Sequence, residues 1–231
     1  YSDAYNKQQG NSALKVIPSK SYIYFTDYKR ELLVNGLKKL NLSQDSELQL
    51  SDQDFLAVES SLLELNSKQA LELITKYCSH IIRKWTASAK LIGFDLLRVS
   101  IPKVTTVDIL TSTDAAEIIL DVVNLGLENI NVENPALLMM ILKVLNNLVG
   151  TTLFVQLYID PCDTDNKLYE YNTFFQNLLK KLQNSTAKLT QLAKLYTSTM
   201  TALTTLVYNL SAYQLQTSAL KNNKIGRASC R

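Results

Sequence analysis

A chain of 231 residues, 46% hydrophobic and 19% charged, has enough apolar side chain to build a core, which excludes an intrinsically disordered protein. Six glycines and four prolines are too few for a β-sandwich or a glycine-rich nucleotide fold, which spend glycine on tight turns and phosphate loops. The net charge of +3 drops to +1 once Arg227 and Arg231 of the last seven residues are set aside, too little for nucleic-acid binding by bulk electrostatics.

In chain order, residues 1–25 read as a polar N-terminus followed by an extended arm. Val16-Ile17-Pro18 and Tyr22-Ile23-Tyr24-Phe25 disfavour helix through the pre-proline restriction and their aromatic and β-branched content. From Thr26 on, helical signals dominate. Thr26 or Asp27 is expected to cap a helix carrying Leu33, Leu37 and Leu40 on one face. Ser51 with Asp54 predicts a capping box ahead of Phe55, Val58, Leu62 and Leu65. Ser67 opens the next helix, through Leu71, Ile74 and Cys78, and Thr86 another, through Leu91 to Val99. Thr113 starts a helix that reaches Gly126, and Asn134-Pro135 is a strong start signal for one running to Gly150. Residues 160–167 form an acidic loop. Helices resume through Phe174 to Leu182, Leu189 to Leu195, and Leu203 to Tyr213. The segment 225–231 follows no helical pattern and reads as a vector-derived tail.

Three of these helices superpose without gaps. Ile92, Ile141 and Leu203 coincide, then Leu96, Leu145 and Val207, then Val99, Leu148 and Leu210. One place before the last, each carries a polar group: Arg98, Asn147 and Asn209. The pattern predicts an all-α, armadillo- or HEAT-like helical repeat solenoid with an extended N-terminal arm. In such a stack, these polar side chains would line a concave groove with Phe94, Lys143 and Thr205 one turn earlier; Asn146 competes with Asn147 for the middle position. Asparagine can bond the backbone of an extended peptide with one donor and one acceptor, and arginine can clamp a carboxylate. Each is equally a surface residue, or one that bonds a neighbouring loop.

Catalytic chemistry is sparse. His80 is the single histidine and suits a structural place near a helix end. Cys78, Cys162 and Cys230 form no CxxC pair, so neither a disulfide framework nor a thiol metal site is expected. Asp160, Asp163 and Asp165 resemble the start of a calcium loop, but the glycine and terminal glutamate of an EF-hand are not in place. No nucleotide or zinc motif occurs, and the longest apolar run, Leu137 to Val149, is interrupted by Lys143, Asn146 and Asn147. No enzyme activity, cofactor, metal or membrane span is expected.

With those positions in hand, the chain resembles the PUL domain of the phospholipase-activating-protein family and its fungal ubiquitin-homeostasis relatives. The likeness rests on the Ile-Pro arm with Tyr22 to Phe25, the run Leu37 to Asn41, Leu50 to Asp54, Asp95-Leu96-Leu97-Arg98-Val99-Ser100, Asn146 to Gly150, and Tyr208 to Ser211. The resemblance implies an armadillo-like domain over residues 26–221 that binds the C-terminal tail of the hexameric AAA ATPase valosin-containing protein. It further implies a role in ubiquitin-dependent degradation and ubiquitin homeostasis, in cytoplasm and nucleus, as a monomeric domain. Arg98, Asn146, Asn147, Asn209, Lys143 and Phe94 are the residues expected to meet the peptide. The family pattern continues for a further helical repeat where this sequence turns to Lys221-Asn222-Asn223-Lys224, so the last repeat is expected to be missing. A structural scaffold or oligomerisation domain without a peptide groove is the alternative.

Overall fold

A computed structural model of the chain describes residues 22–65, 67–101, 113–128, 135–149, 151 and 193–228. Among these residues there are seven helices and no strand: α1 Arg30–Asn41, α2 Asp52–Leu63, α3 Lys68–Lys84, α4 Lys90–Ser100, α5 Thr113–Glu128, α6 Pro135–Leu148 and α7 Ala193–Ala228. The acidic loop at 160–167, Cys162, Cys230, the Val16-Ile17-Pro18 stretch and the helices expected between 174 and 192 lie outside the described residues.

Local chemistry sets most of the helix starts. Ser51 Oγ accepts from the Asp54 N–H at 3.2 Å, and Asp54 Oδ2 accepts from the Ser51 N–H at 2.7 Å, the expected capping box. Ser67 Oγ accepts from the Ala70 N–H at 3.1 Å, and Pro135 takes the first helical position of α6. Two expected starts move. The residue before α1 is Lys29, which makes no side-chain cap; Thr26 and Asp27 are still extended, and the Asp27 carbonyl is held elsewhere. Thr86 lies in a turn ahead of α4, its N–H donated to Gln44 Oε1 at 3.0 Å, and α4 begins at Lys90.

The helices pack in two rows. In one, α1 meets α4, α4 meets α6 and α6 meets α7; in the other, α2 meets α3 and α3 meets α5. Cross-contacts between α1 and α2, α3 and α4, and α5 and α6 bind the rows together, the arrangement of a helical-repeat fold. The three superposable helices are thus α4, α6 and α7, consecutive neighbours in one row. Close approach is built in at Gly93, where a Cβ would lie 2.7 Å from Ile82 and 2.9 Å from Ile81. α6 is apolar on almost every side, and Leu138, Ile141, Leu142, Val144, Leu145 and Leu148 are all buried. It can be so because α4, α5 and α7 surround it. No helix among the described residues is long and apolar enough to cross a membrane.

α7 differs from the expected register. Val207, aligned with buried Leu96 and Leu145, is 41% exposed, whereas Leu206 is buried. Among the described helices α7 leans chiefly on α6, so a single stripe through Ala202, Leu206, Asn209, Leu210 and Tyr213 turns inward. The α7 backbone also stays helical through 225–228, where the sequence pattern was expected to break.

Candidate functional site

Arg98, Asn147 and Asn209 fall on one ridge across α4, α6 and α7, and an extended peptide lies along it. That peptide is the chain's own arm. The Ile23 N–H donates to Asn209 Oδ1 at 2.9 Å, and Asn209 Nδ2 donates back to the Ile23 carbonyl at 2.8 Å. Two residues on, the Phe25 N–H donates to Asn147 Oδ1 at 2.7 Å, while Asn147 Nδ2 donates to the Phe25 carbonyl at 3.0 Å. Arg98 completes the row, giving Nη1 to the Phe25 carbonyl at 2.6 Å and Nη2 to the Asp27 carbonyl at 3.2 Å. Two extended residues advance ~6.8 Å, which carries the strand from α7 at Ile23 to α6 at Phe25, and α4 shares the Phe25 carbonyl and takes that of Asp27. The amides read only backbone, while the Tyr22 and Phe25 side chains of the arm pack against the core.

The ridge residues are tied to one another as well. Asn147 Nδ2 also donates to the Arg98 carbonyl at 2.8 Å, a bond between positions 49 residues apart, the separation of the first two superposed helices. Arg98 Nε donates to Asp95 Oδ1 at 2.7 Å, which balances the charge of a largely buried guanidinium. Asn146 points away from the arm. Its Nδ2 donates to the Leu142 and Ala202 carbonyls, both at 2.8 Å, and its Oδ1 accepts from Asn209 Nδ2 at 3.0 Å, so it staples α6 to α7. Between Asn146 and Asn147, Asn147 is the one that holds the arm. Phe94 is buried beneath the ridge in the space left by Gly126, where a Cβ would lie 2.8 Å from its ring. Phe94 therefore does not reach a groove. Lys143 does stand at the arm, with Nζ 5.6 Å from the centre of the Phe25 ring. Its pKa is lowered, first by burial and then by the Arg98 charge, with Asp95 pulling the other way.

At the far end, the Tyr22 and Tyr24 rings sit 6.3 Å apart. Burial, helped by Tyr24 and Tyr213, pushes the Tyr22 hydroxyl up to about 12, and burial also raises Tyr24 and Tyr213. An open depression lined by Thr26, Asp27, Tyr28 and Lys29 follows the docked segment.

A further backbone clamp was missed in the sequence. Buried Asn41, the last residue of α1, accepts from the Leu50 N–H at 2.7 Å and donates to the Leu50 carbonyl at 3.0 Å. An asparagine closing a helix ahead of a short polar loop is the signal that could have found it. His80 Nε2 bonds the Leu48 carbonyl at 3.0 Å, which Trp85 Nε1 shares at 2.9 Å, so the single histidine braces this same loop. Burial raises the pKa of the Cys78 thiol and keeps it protonated. Among the described residues, no cluster of His, Cys, Asp or Glu could hold a metal ion.

A two-row helical repeat with a polar ridge that grips the chain's own extended arm is the class of domain that the fold and the site define. The model of the PUL domain family matches residues 17–229, arm and helices together. The chain belongs to the PUL domain family, a family of protein-interaction domains. No curated protein matches the chain.

Proposed function

We propose that this domain binds the C-terminal tail of a hexameric AAA ATPase of the valosin-containing-protein type, on the face that carries the arm, and that it does so without catalytic activity of its own. Membership of a protein-interaction family supports a protein partner. The observation that carries the reading is the ridge itself: Asn209, Asn147 and Arg98 are spaced to accept an extended backbone, and they already hold one in cis. Lys143 adds a positive charge beside it, suited to a carboxyl-terminated guest. The role this implies is recruitment of the ATPase in ubiquitin-dependent degradation and ubiquitin homeostasis, in cytoplasm and nucleus.

A specific observation favours the scaffold alternative. The side-chain amides of Asn147 and Asn209 are fully used by the arm and by neighbouring helices, which is what a purely structural latch would need. Isothermal titration of the chain with the ATPase tail peptide decides between them, with a scrambled peptide as control. Saturable binding of the tail alone supports the recruiting role; equal or absent heat from both peptides leaves the scaffold.

A further inference from the structure

The arm is engaged along one edge only. Ile23 and Phe25 give the ridge both N–H and C=O, and Asp27 gives its C=O, a strict alternation over five residues. In an extended strand the N–H and C=O of one residue point to one edge and those of the next residue to the other. The backbone groups of Tyr24 and Thr26 therefore face away from the ridge, and neither residue makes a backbone hydrogen bond among the described residues. Such an edge is a template for a further strand.

Charge says what kind of strand fits. Arg98, Lys143, Lys29 and Arg30 stand on or beside the arm against the carboxylates of Asp95, Asp27 and Glu31. Arg98 is matched by Asp95 at 2.7 Å, whereas Lys143 has no carboxylate within 4.0 Å among the described residues. Pairing of two arms from two copies would bring these cations together, and a basic guest would meet them too. We propose that the free edge of residues 24–26 is a docking strand for an acidic extended peptide, which adds to the arm as a second strand instead of displacing it. The arm then belongs to the receptor: Asn209, Asn147 and Arg98 fix it, its outer edge reads the guest's backbone, and Lys143 reads its charge. The inference rests on the tail-binding reading for the identity of the natural guest, but not for the chemistry of the edge.

Amide hydrogen exchange on the whole chain tests it, followed residue by residue by NMR. The probes are the ATPase tail peptide and an unrelated acidic peptide with a free C-terminus. With a guest bound, Tyr24 and Thr26 amides should slow by about tenfold or more while Ile23 and Phe25 stay as protected as before. Loss of protection at Ile23 and Phe25 would mean displacement and would overturn the proposal. So would protection of Tyr24 in the free chain, which would place the chain's own residues there, or protection that grows with protein concentration, which would place a second copy. If only the unrelated acidic peptide protects the edge, the edge stands and the tail-binding reading fails; if neither does, the edge proposal fails. Tyr24→Pro removes the outward N–H and none of the ridge bonds, and extended Ile23 already suits the residue before a proline. It should bind the peptide about three- to tenfold more weakly than Tyr24→Ala, which loses the ring alone. Equal affinities of the two variants would overturn the edge pairing.

Discussion

Two backbone segments in this molecule, a loop and the arm, are held by the same chemistry and to different ends. Asn41 grips the N–H and C=O of Leu50, nine residues away, and Asn147 and Asn209 grip Phe25 and Ile23 across 122 and 186 residues. Leu50 sends its own side chain into the core, and its loop is braced again by His80 and Trp85 on Leu48. Ile23 is 50% exposed, and Tyr22 and Phe25 are only partly buried against the core, so the arm leans more on its backbone bonds than Leu50 does. Each of those bonds is worth ~0.5–1.5 kcal/mol net, against ~1–2 kcal/mol for ordering each residue. The same amide clamp therefore fastens a core-packed loop in one place and a half-exposed arm in the other.

The contrast is broken most sharply at Asn41. Asn41→Ala leaves a buried donor and a buried acceptor on Leu50 without partners, each costing ~1–3 kcal/mol. A loss of about 2–4 kcal/mol in global stability is expected, read as a lower midpoint in urea with an unchanged slope. An unchanged midpoint would mean that the two clamps do not differ in kind.

At the arm the larger effect should fall on binding. Arg98→Ala removes two carbonyl bonds and should weaken tail-peptide affinity by ~1.5–3 kcal/mol, roughly 10- to 100-fold. Faster exchange of the Phe25 amide should accompany it. Full affinity in that variant would detach the ridge from the binding face. Asn209→Ala should cost less, about 0.5–1.5 kcal/mol, and free the Ile23 amide while the Phe25 amide stays held by Asn147. If both amides open together, the arm undocks as a unit and the clamps are not independent.

The same contrast explains what could be read from sequence. Ser51 with Asp54, Ser67 and Pro135 act on their immediate neighbours, so their spacing was enough to place the helix starts. The shared polar position of Arg98, Asn147 and Asn209 was visible too, because helices that stack as repeats present equivalent positions on one face. The occupant of that ridge was not visible. Side-chain amides that bind backbone need no complementary residue on the arm, so nothing at Ile23 or Phe25 marks them as partners. Phe94 turned inward for a related reason: the space that receives it is the missing side chain of Gly126 on another helix. Thr26 and Asp27 looked like caps, but a carbonyl held by Arg98 keeps the chain extended past them.

The smallest expected effect separates the two clamps by pH. Beside Leu50, Asp54 accepts from the Tyr77 hydroxyl at 2.6 Å and from Ser51, and these bonds, the tyrosine's first, hold its carboxyl below the ordinary 3.8. The fold therefore favours the carboxylate. That contribution is complete above 3.8 and fades as pH falls through the lower folded value. On the arm the sign is opposite. Burial raises Tyr22 to about 12, so docking favours the neutral phenol; its contribution is complete below 10 and fades as pH climbs towards 12. Acid should thus loosen the Ser51 cap first and alkali the arm. Tyr77 is also raised to about 12, by burial and then by Asp54, so the alkaline measurement needs Tyr77→Phe as the background. In that background, ultraviolet titration should find late phenolate transitions, from Tyr24 and Tyr213 as well as Tyr22, whose latest part Tyr22→Phe removes. The acid limb of a melting-temperature profile should flatten in Asp54→Asn and be untouched by Tyr22→Phe. A Tyr22→Phe variant that changed the acid limb would show the two sites to be coupled through the helices between them.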